Sequence, residues 1–201
     1  VEDALAGIAP GGLLLTLEWQ LYSPWLYLHH VEGFRPDATV VDVNLCRRSW
    51  YVRQYLPATY PQPMAACAPQ AAAFLAGLDD WEQGRPHDPD RLTRLFVALH
   101  NALVDAHLPA RQAHLTLPME PGVGEGKVWV PQGLTMRLEP APPAAVEAAP
   151  ALRLTAFLDD PARLTEVART KVKPYYSLML LNRGRYLTMV GDLQGARREV
   201  E

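Results

Sequence analysis

Two short apolar runs on either side of a helix-like segment constrain the fold of this chain more than any other part of its sequence. Residues 13–17, LLLTL, follow two glycines, and residues 39–45, TVVDVNL, are rich in β-branched side chains. Between them, aromatic residues and leucines recur at helical spacing. This order predicts two buried parallel strands joined by a crossover helix. A further helix is predicted over residues 47–56.

The pattern beyond residue 70 extends this unit into a larger α/β domain. Residues 70–78 and 90–107 are predicted to be helices, the second with apolar side chains recurring at three and four positions. Residues 113–117 form a third predicted strand. Residues 128–138 are predicted to be a hairpin or two edge strands, because Pro131 has no N–H for the ladder of a central strand. The predicted fold is α/β, with a small, Rossmann-like, mostly parallel sheet and flanking helices.

Proline and glycine positions predict where these elements begin and end. Ser23 is expected to cap the crossover helix, with Pro24 at its first position, and Gly33 is expected to end it. Nineteen prolines are many for 201 residues, and they cluster in a few places. The cluster in residues 57–69 is predicted to be an irregular connector.

A second proline cluster divides the chain into two predicted parts. Residues 141–150 consist mostly of proline and alanine and are predicted to be a linker. Before it, residues 1–140 form the α/β domain, and after it, residues 151–201 form a helical segment. In that segment Asp160 starts one predicted helix, and Pro174 starts or kinks another.

The helical segment resembles the start of a tetratricopeptide repeat. Five residues stand in the order and spacing of that repeat, in which small side chains let two antiparallel helices approach closely. The resemblance implies that further repeats follow, because one repeat cannot bury its apolar face alone. An ordinary helical hairpin is the alternative. The residues that carry the resemblance are Leu180, Gly184, Gly191, Asp192 and Ala196.

Composition and motif content limit the chemistry that this chain could perform. A net charge of −3 gives no general basic surface, so no nucleic-acid partner is predicted. The six histidines stand in no catalytic or zinc-binding motif, and Cys46 and Cys67 lack metal-site spacing. We expect the two cysteines to be small buried hydrophobes. No cofactor, metal or catalytic residue is predicted. Both ends of the chain look cut, and we expect a piece of a larger protein.

Polar and aromatic residues concentrate at the carboxyl ends of the two predicted strands. Ligands of open α/β sheets bind outside these ends, so this cluster is the candidate binding site. Arginine offers a planar donor fork for anionic groups, and aromatic rings can stack on sugar faces. The alternative is structural, with the carboxylate bonded to a neighbouring loop and the aromatic residues packing a helix. The candidate ligand-binding residues are Glu18, Trp19, Gln20, Asp42, Asn44, Arg47, Arg48 and Trp50.

The opening stretch of the chain resembles the domain of unknown function 2723 family, bacterial polytopic membrane proteins related to protein O-mannosyltransferases, and the match extends over about two thirds of the chain. The resemblance rests on PWLYL at residues 24–28, VEGFRPD at 31–37, VVDVNL at 40–45 and the pair Trp50 and Tyr51. Two later segments, residues 115–116 and 131–138, also look like the final strands of that family. Many members carry a Gly-Asp-Asn-Asp-like turn after the first strand, and here residues 18–21, EWQL, stand in its place.

The resemblance implies that this piece is a soluble, C-terminal, extracytoplasmic domain, on the periplasmic side of a bacterial inner membrane. It would have no transferase activity alone. Its partners would be the membrane half of the same protein, an acceptor protein or glycan at the strand ends, and proteins bound by the helical tail. Two alternatives are a soluble α/β enzyme that uses the same crevice, and an interaction module that acts only through its tail.

Overall fold

A single open sheet with helices packed around it forms the centre of the molecule. The computed structural model describes residues 1–108, 110–143, 147–153, 162 and 164–200. Within these ranges the sheet has five strands in the order β2-β1-β3-β5-β4, which confirms the predicted α/β class. The strands are Leu13–Thr16 (β1), Thr39–Asp42 (β2), Ala113–Leu115 (β3), Val128–Gln132 (β4) and Thr135–Glu139 (β5).

The leucine run and the valine run are neighbouring parallel strands, as predicted. β1 pairs in parallel with β2 on one side and with β3 on the other. β5 pairs antiparallel with both β3 and β4, so the sheet is mixed. β4 lies at the edge of the sheet, which is where a strand containing Pro131 was expected. Every residue of β1 and β2 is buried, as is usual for neighbouring parallel strands, and α2 packs against both of them.

The crossover helix begins earlier than its sequence predicts. It starts directly after β1, where the carbonyl oxygen of Glu18 accepts hydrogen bonds from the N–H groups of the first turn. Ser23 and Pro24 therefore lie inside the helix, and the prediction that they begin it is wrong. Its other end follows the prediction, since Gly33 adopts a positive φ of 67° and Phe34 N–H closes the last turn onto Leu28 O.

The proline-rich residues 57–69 are helical, so the prediction of an irregular connector is also wrong. Pro57, Pro61 and Pro69 each occupy one of the first two positions of a helix. A proline costs no hydrogen bond there, because the first N–H groups of a helix have no partner within it. These prolines therefore begin helices.

The helices bury apolar faces against the sheet and against one another. The longest helix buries Phe96, Leu99, Leu103 and Val104 along one face, as its periodicity predicts. Residues 51–55 and 168–172 are single π-helical stretches. The α-helices are Glu2–Leu5 (α1), Trp19–His30 (α2), Leu56–Thr59 (α3), Pro61–Ala66 (α4), Ala68–Glu82 (α5), Pro89–His107 (α6), Lys173–Met189 (α7) and Leu193–Val200 (α8).

The tail contains the predicted helical hairpin. α7 and α8 pack against each other and are joined at Gly191, whose φ is +87°. Asp192 caps α8 by accepting a 2.8 Å hydrogen bond from Gly195 N–H, and Gly184 and Ala196 are buried where the helices meet. The helix predicted to start at Asp160 lies outside the described residues. The assignment of the hairpin to a tetratricopeptide repeat stays a prediction.

Helix α7 also packs against the edge strand β4. Arg183, which is buried, donates a 2.7 Å hydrogen bond to Pro131 O on β4 and a 2.8 Å hydrogen bond to Glu199 on α8. A third guanidinium nitrogen donates a hydrogen bond to Glu147 O. The tail, which is the pair of helices α7 and α8, therefore covers the edge of the sheet at β4. Without it, the β4–β5 hairpin would leave that edge exposed. The division of the chain into two domains stays a prediction.

Candidate functional site

The carboxyl ends of β1 and β3 lie side by side where the chain connections diverge. From β1 the chain passes through α2 to β2 on one side of the sheet. β3 lies on the other side of β1 and leads away to the β4–β5 hairpin. In open α/β sheets, such a switch point leaves a crevice outside the strand ends, and ligands bind there.

A cavity of about 180 Å³ opens at this switch point, between the strand ends and the start of α7. We call it the strand-end cavity. Apolar side chains and two tyrosine rings form most of its lining, and four polar side chains join them. The apolar residues and tyrosines are Val1, Ala4, Leu21, Leu134, Val172, Tyr175 and Tyr176. The polar residues are Glu18, Gln20, Thr116 and Lys171.

Two threonines fix the strand ends that form the base of this cavity. Thr116 Oγ1 donates a 3.1 Å hydrogen bond to Thr16 Oγ1, and it accepts a 3.3 Å hydrogen bond from Leu17 N–H. Thr16 Oγ1 also accepts from Glu18 N–H at 3.0 Å. Both threonines are fully buried. This network sets the backbone position of Glu18 at the end of β1.

Tyr175 closes the opposite wall by joining the tail to the sheet. Its hydroxyl donates a 2.8 Å hydrogen bond to Leu134 O and accepts a 3.3 Å hydrogen bond from Leu117 N–H. Burial raises the pKa of Tyr175 above its ordinary value, so the side chain stays neutral. On this side the cavity is therefore lined by the neutral ring of Tyr175, whose hydroxyl is already hydrogen-bonded to the backbone.

Glu18 and Lys171 bring opposite charges to the cavity. Burial raises the pKa of Glu18, and the positive charge of Lys171 partly opposes this shift. Neither side chain, nor that of Gln20, makes a hydrogen bond to another residue in the part of the chain that the structure describes. The three groups together can accept and donate hydrogen bonds to a ligand.

A row of four aromatic rings lies at the neighbouring ends of β1 and β2. We call Trp19, Tyr22, Tyr51 and Trp50 the aromatic row. Its successive ring centroids are 6.3, 6.4 and 5.5 Å apart. The two tyrosines are buried and their hydroxyls lie 2.6 Å apart, whereas Trp19 and Trp50 are 54% and 48% exposed. Asn44 is exposed next to β2, with its amide 3.5 Å from Leu17 O.

The remaining predicted site residues have other neighbours. Asp42 is buried and accepts a 2.8 Å hydrogen bond from Leu45 N–H, which closes the turn after β2. Arg47 pairs with Glu120 at 2.7 Å and lies 4.5 Å from the centre of the Phe96 ring. It lines a separate groove of about 230 Å³ between α5 and α6.

Arg48 also lies near α5, because its guanidinium is 6.0 Å from the centre of the Trp81 ring. The structure thus divides the predicted residues among several places. Glu18 and Gln20 line the strand-end cavity, Trp19 and Trp50 belong to the aromatic row, and the two arginines contact the α5–α6 region.

Sequence reasoning identified only two of the eleven residues that line the strand-end cavity, Glu18 and Gln20. Thr116 could have been found, because it directly follows the third predicted strand. Lys171 and Tyr175 carry no such signal, since they belong to a segment assigned to a separate helical unit. Their role depends on how α7 docks, and that docking uses contacts between residues distant in sequence.

Comparison of the chain with protein-family models, curated proteins and solved structures gives no match. The resemblances to the domain of unknown function 2723 family and to the tetratricopeptide repeat therefore stay predictions. None of the described helices has the length and apolar character needed to cross a membrane. Among the same residues, no group of histidine, cysteine and carboxylate side chains could hold a metal ion.

Proposed function

We propose that this chain is a non-catalytic binding domain, which holds an acceptor protein or a glycan at the carboxyl ends of its parallel strands. The observation that carries the proposal is the strand-end cavity at the β1–β3 switch point. Glu18, Gln20 and Lys171 line it without side-chain hydrogen-bond partners among the described residues. A concave, mostly apolar cavity with a few convergent polar groups is the usual form of a binding site.

The proposal places this domain on the periplasmic side of a bacterial inner membrane, as part of a polytopic glycosyltransferase-like protein. The membrane half of that protein would carry the chemistry, and this domain would position the acceptor. The sequence strings at residues 24–45 support this assignment through their family resemblance. The α7–α8 hairpin would begin an array of repeats that binds further proteins.

The aromatic row is the surface on which this proposal places a bound glycan. Trp19 and Trp50 expose about half of their area, and the amides of Gln20 and Asn44 are exposed on the neighbouring strand ends. A tryptophan presents a broad apolar face with a polar edge, which suits the mixed surface of a sugar. The buried Tyr22–Tyr51 pair holds both helices that carry these tryptophans.

Binding to simple probes tests this function. We expect mannose oligosaccharides or a serine- and threonine-rich peptide to shift amide resonances of residues 17–22 in a ¹⁵N NMR titration. Trp19→Ala and Trp50→Ala should weaken glycan binding by about tenfold, the usual effect of losing one stacked aromatic residue. The matched control is Tyr27→Ala, an aromatic residue on α2 that is 56% exposed outside the aromatic row. Equal effects of all three substitutions, or no binding of either probe, would contradict the proposal.

One observation favours a second candidate, a soluble α/β enzyme that uses the same cavity. Burial raises the pKa of Glu18, which brings a carboxyl group closer to the range of a general acid or base. Incubating the chain with sugar phosphates distinguishes the two functions. Turnover by the parent chain that is lost in Glu18→Gln would support the enzyme and refute the binding domain.

A further inference from the structure

We infer that the strand-end cavity takes one apolar side chain of an acceptor polypeptide. This inference rests on the proposed function and deepens it, because it names the ligand of the cavity as a peptide rather than a glycan. The reasons are the size of the cavity, the bonding of its interior polar atoms and the position of its unbonded ones.

The cavity is too small for a whole ligand of ordinary size. Its volume is about 180 Å³. Pockets that enclose complete small molecules measure roughly 300–1,000 Å³. A volume below that range suits a single large side chain, with the rest of the ligand lying outside. Protein interfaces use such pockets for their anchor residues, which contribute most of the binding energy.

Two of the polar groups that line the cavity, the hydroxyls of Thr116 and Tyr175, are already bonded within the protein. Thr116 Oγ1 donates to Thr16 and accepts from Leu17 N–H. Tyr175 Oη donates to Leu134 O and accepts from Leu117 N–H. A sugar hydroxyl placed beside Thr116 and Tyr175 would therefore lose its water without gaining a new partner from them, which is unfavourable. An aliphatic or aromatic side chain needs no hydrogen-bond partners and does not carry this cost.

The apolar part of the lining complements such a side chain. Leu21 on α2 and Val172 beside α7 are partly buried, and Ala4 and Leu134 are buried around them. These residues come from separate parts of the chain, so the cavity forms only after the tail has docked. Removing an apolar side chain of a ligand from water against these walls would drive its insertion.

The unbonded polar groups suit the peptide backbone next to the inserted side chain. Gln20 is exposed and its amide can both donate and accept, as a peptide unit requires. The Glu18 carboxylate can accept from a peptide N–H, and the Lys171 ammonium can donate to a peptide carbonyl. The three groups thus match the donors and acceptors of a polypeptide.

Titration with two peptides tests the inference directly. The probes are a capped glycine–serine peptide with one central leucine, and the same peptide with serine in place of that leucine. We expect the leucine peptide to shift the amide resonances of Leu21, Thr116 and Val172. The serine peptide should bind at least about tenfold more weakly, given the usual contribution of a buried leucine. Equal binding of the two peptides would overturn the inference.

Two substitutions locate the bound side chain. Val172→Phe fills the cavity and should reduce leucine-peptide binding by at least about tenfold. Val190→Phe is the matched control, because Val190 is half exposed at the end of α7 and does not line the cavity. Gln20→Ala alters only an exposed position and should weaken binding about threefold to tenfold through the lost backbone contact. If Val172→Phe fails to fold, the Gln20→Ala result decides, and unchanged binding in that variant counts against the inference.

Different experimental results would refute the inference about the cavity and the proposed function of the domain. Glycan binding that is sensitive to Trp19→Ala, without any leucine-selective peptide binding, would overturn the inference and leave the proposed function standing. The absence of both activities would overturn the two together.

Discussion

At the residue scale, Arg35 holds together the first strand–helix–strand unit. Its guanidinium donates to three backbone carbonyls around the end of α1 and pairs with Asp37 at 3.0 Å. It does so from a backbone φ of +48°, which is unfavourable for a residue other than glycine. We expect Arg35→Ala to lower the free energy of unfolding by about 2 kcal/mol in urea denaturation, because three part-buried carbonyls each lose a charged donor. The carbonyl acceptors are those of Leu5, Ile8 and Ala9.

Arg53 provides the control for this substitution. It forms a 2.6 Å ion pair with Asp79 at the surface, where such pairs contribute at most about 1 kcal/mol. A loss in Arg53→Ala as large as that in Arg35→Ala would contradict a specific structural role for Arg35.

Asp37 makes part of this stability depend on pH. Hydrogen bonding to Arg35 lowers the pKa of Asp37 to about 2, and Gly11 N–H adds to this effect at 2.8 Å. The folded pKa lies below the ordinary value of about 3.9, so the carboxylate stabilises the fold above that pH. Its contribution is lost as the pH falls through about 2. Asp37→Asn should therefore be less stable than the parent at pH 6, with the difference disappearing towards pH 2. A deficit that stays constant across this range would refute the ion-pair explanation.

His100 also makes the fold less stable as the pH falls, because it is buried where a positive charge is unfavourable. Its Nδ1–H donates to Phe96 O at 2.7 Å, and its Nε2 has no partner among the described residues. Burial, together with the charge of Arg47, lowers the pKa of His100 to about 4, against the opposing effects of the hydrogen bond to Phe96 O and of the Glu120 charge. The neutral form is fully favourable only above the ordinary pKa of about 6.5, and stability is lost as the pH falls through 4.

His100→Leu should therefore change stability little at pH 7 and make the protein more stable than the parent near pH 4.5. Thermal unfolding of both proteins at the two pH values measures this. A parent and a variant that lose stability in parallel between pH 7 and pH 4.5 would show that His100 is not responsible.

At the scale of elements, the position of a proline within its helix decides its effect. Pro24 lies in the sixth position of α2, where its missing N–H leaves Gln20 O without the usual helical bond. Pro61 lies at the first position of α4, where no bond is lost. We expect Pro24→Ala to raise the free energy of unfolding by about 1–2 kcal/mol, after allowing for the greater freedom of the unfolded chain. Pro61→Ala should lower it by under about 1 kcal/mol. Calorimetric unfolding of both variants compares them, and the same sign of change in both would refute this reading.

The sequence predicted elements well where one local signal dominated. The apolar runs at β1 and β2 need only burial on both faces, and the face of α6 repeats at helical spacing over the whole helix. It failed where one residue type has two uses. Prolines end helices and also begin them, and in residues 57–69 the second use prevails because apolar side chains such as Tyr60 and Met64 are buried there.

The candidate site was predicted only in part, for a reason that lies beyond any single element. Glu18 and Gln20 could be placed because they follow a recognisable strand. The sequence pattern placed Trp19 and Arg47 in one binding site, but it could not show whether their side chains lie close together. In the fold, Arg47 is drawn to Glu120 and the Phe96 ring, which lie far away in sequence. Long-range charge and ring contacts therefore set the final neighbours of these side chains.

At the scale of the whole molecule, Arg183 connects the tail to the sheet. Its guanidinium is buried between Pro131 O on the edge strand, Glu199 on α8 and Glu147 O. Removing one member of a buried charged network typically destabilises a protein by about 3–5 kcal/mol, because the remaining groups stay buried without partners. Arg183→Ala should therefore release the docked tail.

Hydrogen exchange followed by mass spectrometry measures this release segment by segment. We expect amides of α7 and of the edge strand β4 to exchange faster in Arg183→Ala, while those of β1 and β2 keep their protection. Arg185→Ala is the matched control, because this arginine is exposed on the same helix. Since Lys171 and Tyr175 line the strand-end cavity from the tail, Arg183→Ala should also weaken binding there although Arg183 does not line the cavity. Faster exchange of α7 without any loss of binding would show that the ligand does not need the cavity wall formed by Lys171 and Tyr175. Unchanged exchange would show that Arg183 does not hold the tail against the sheet.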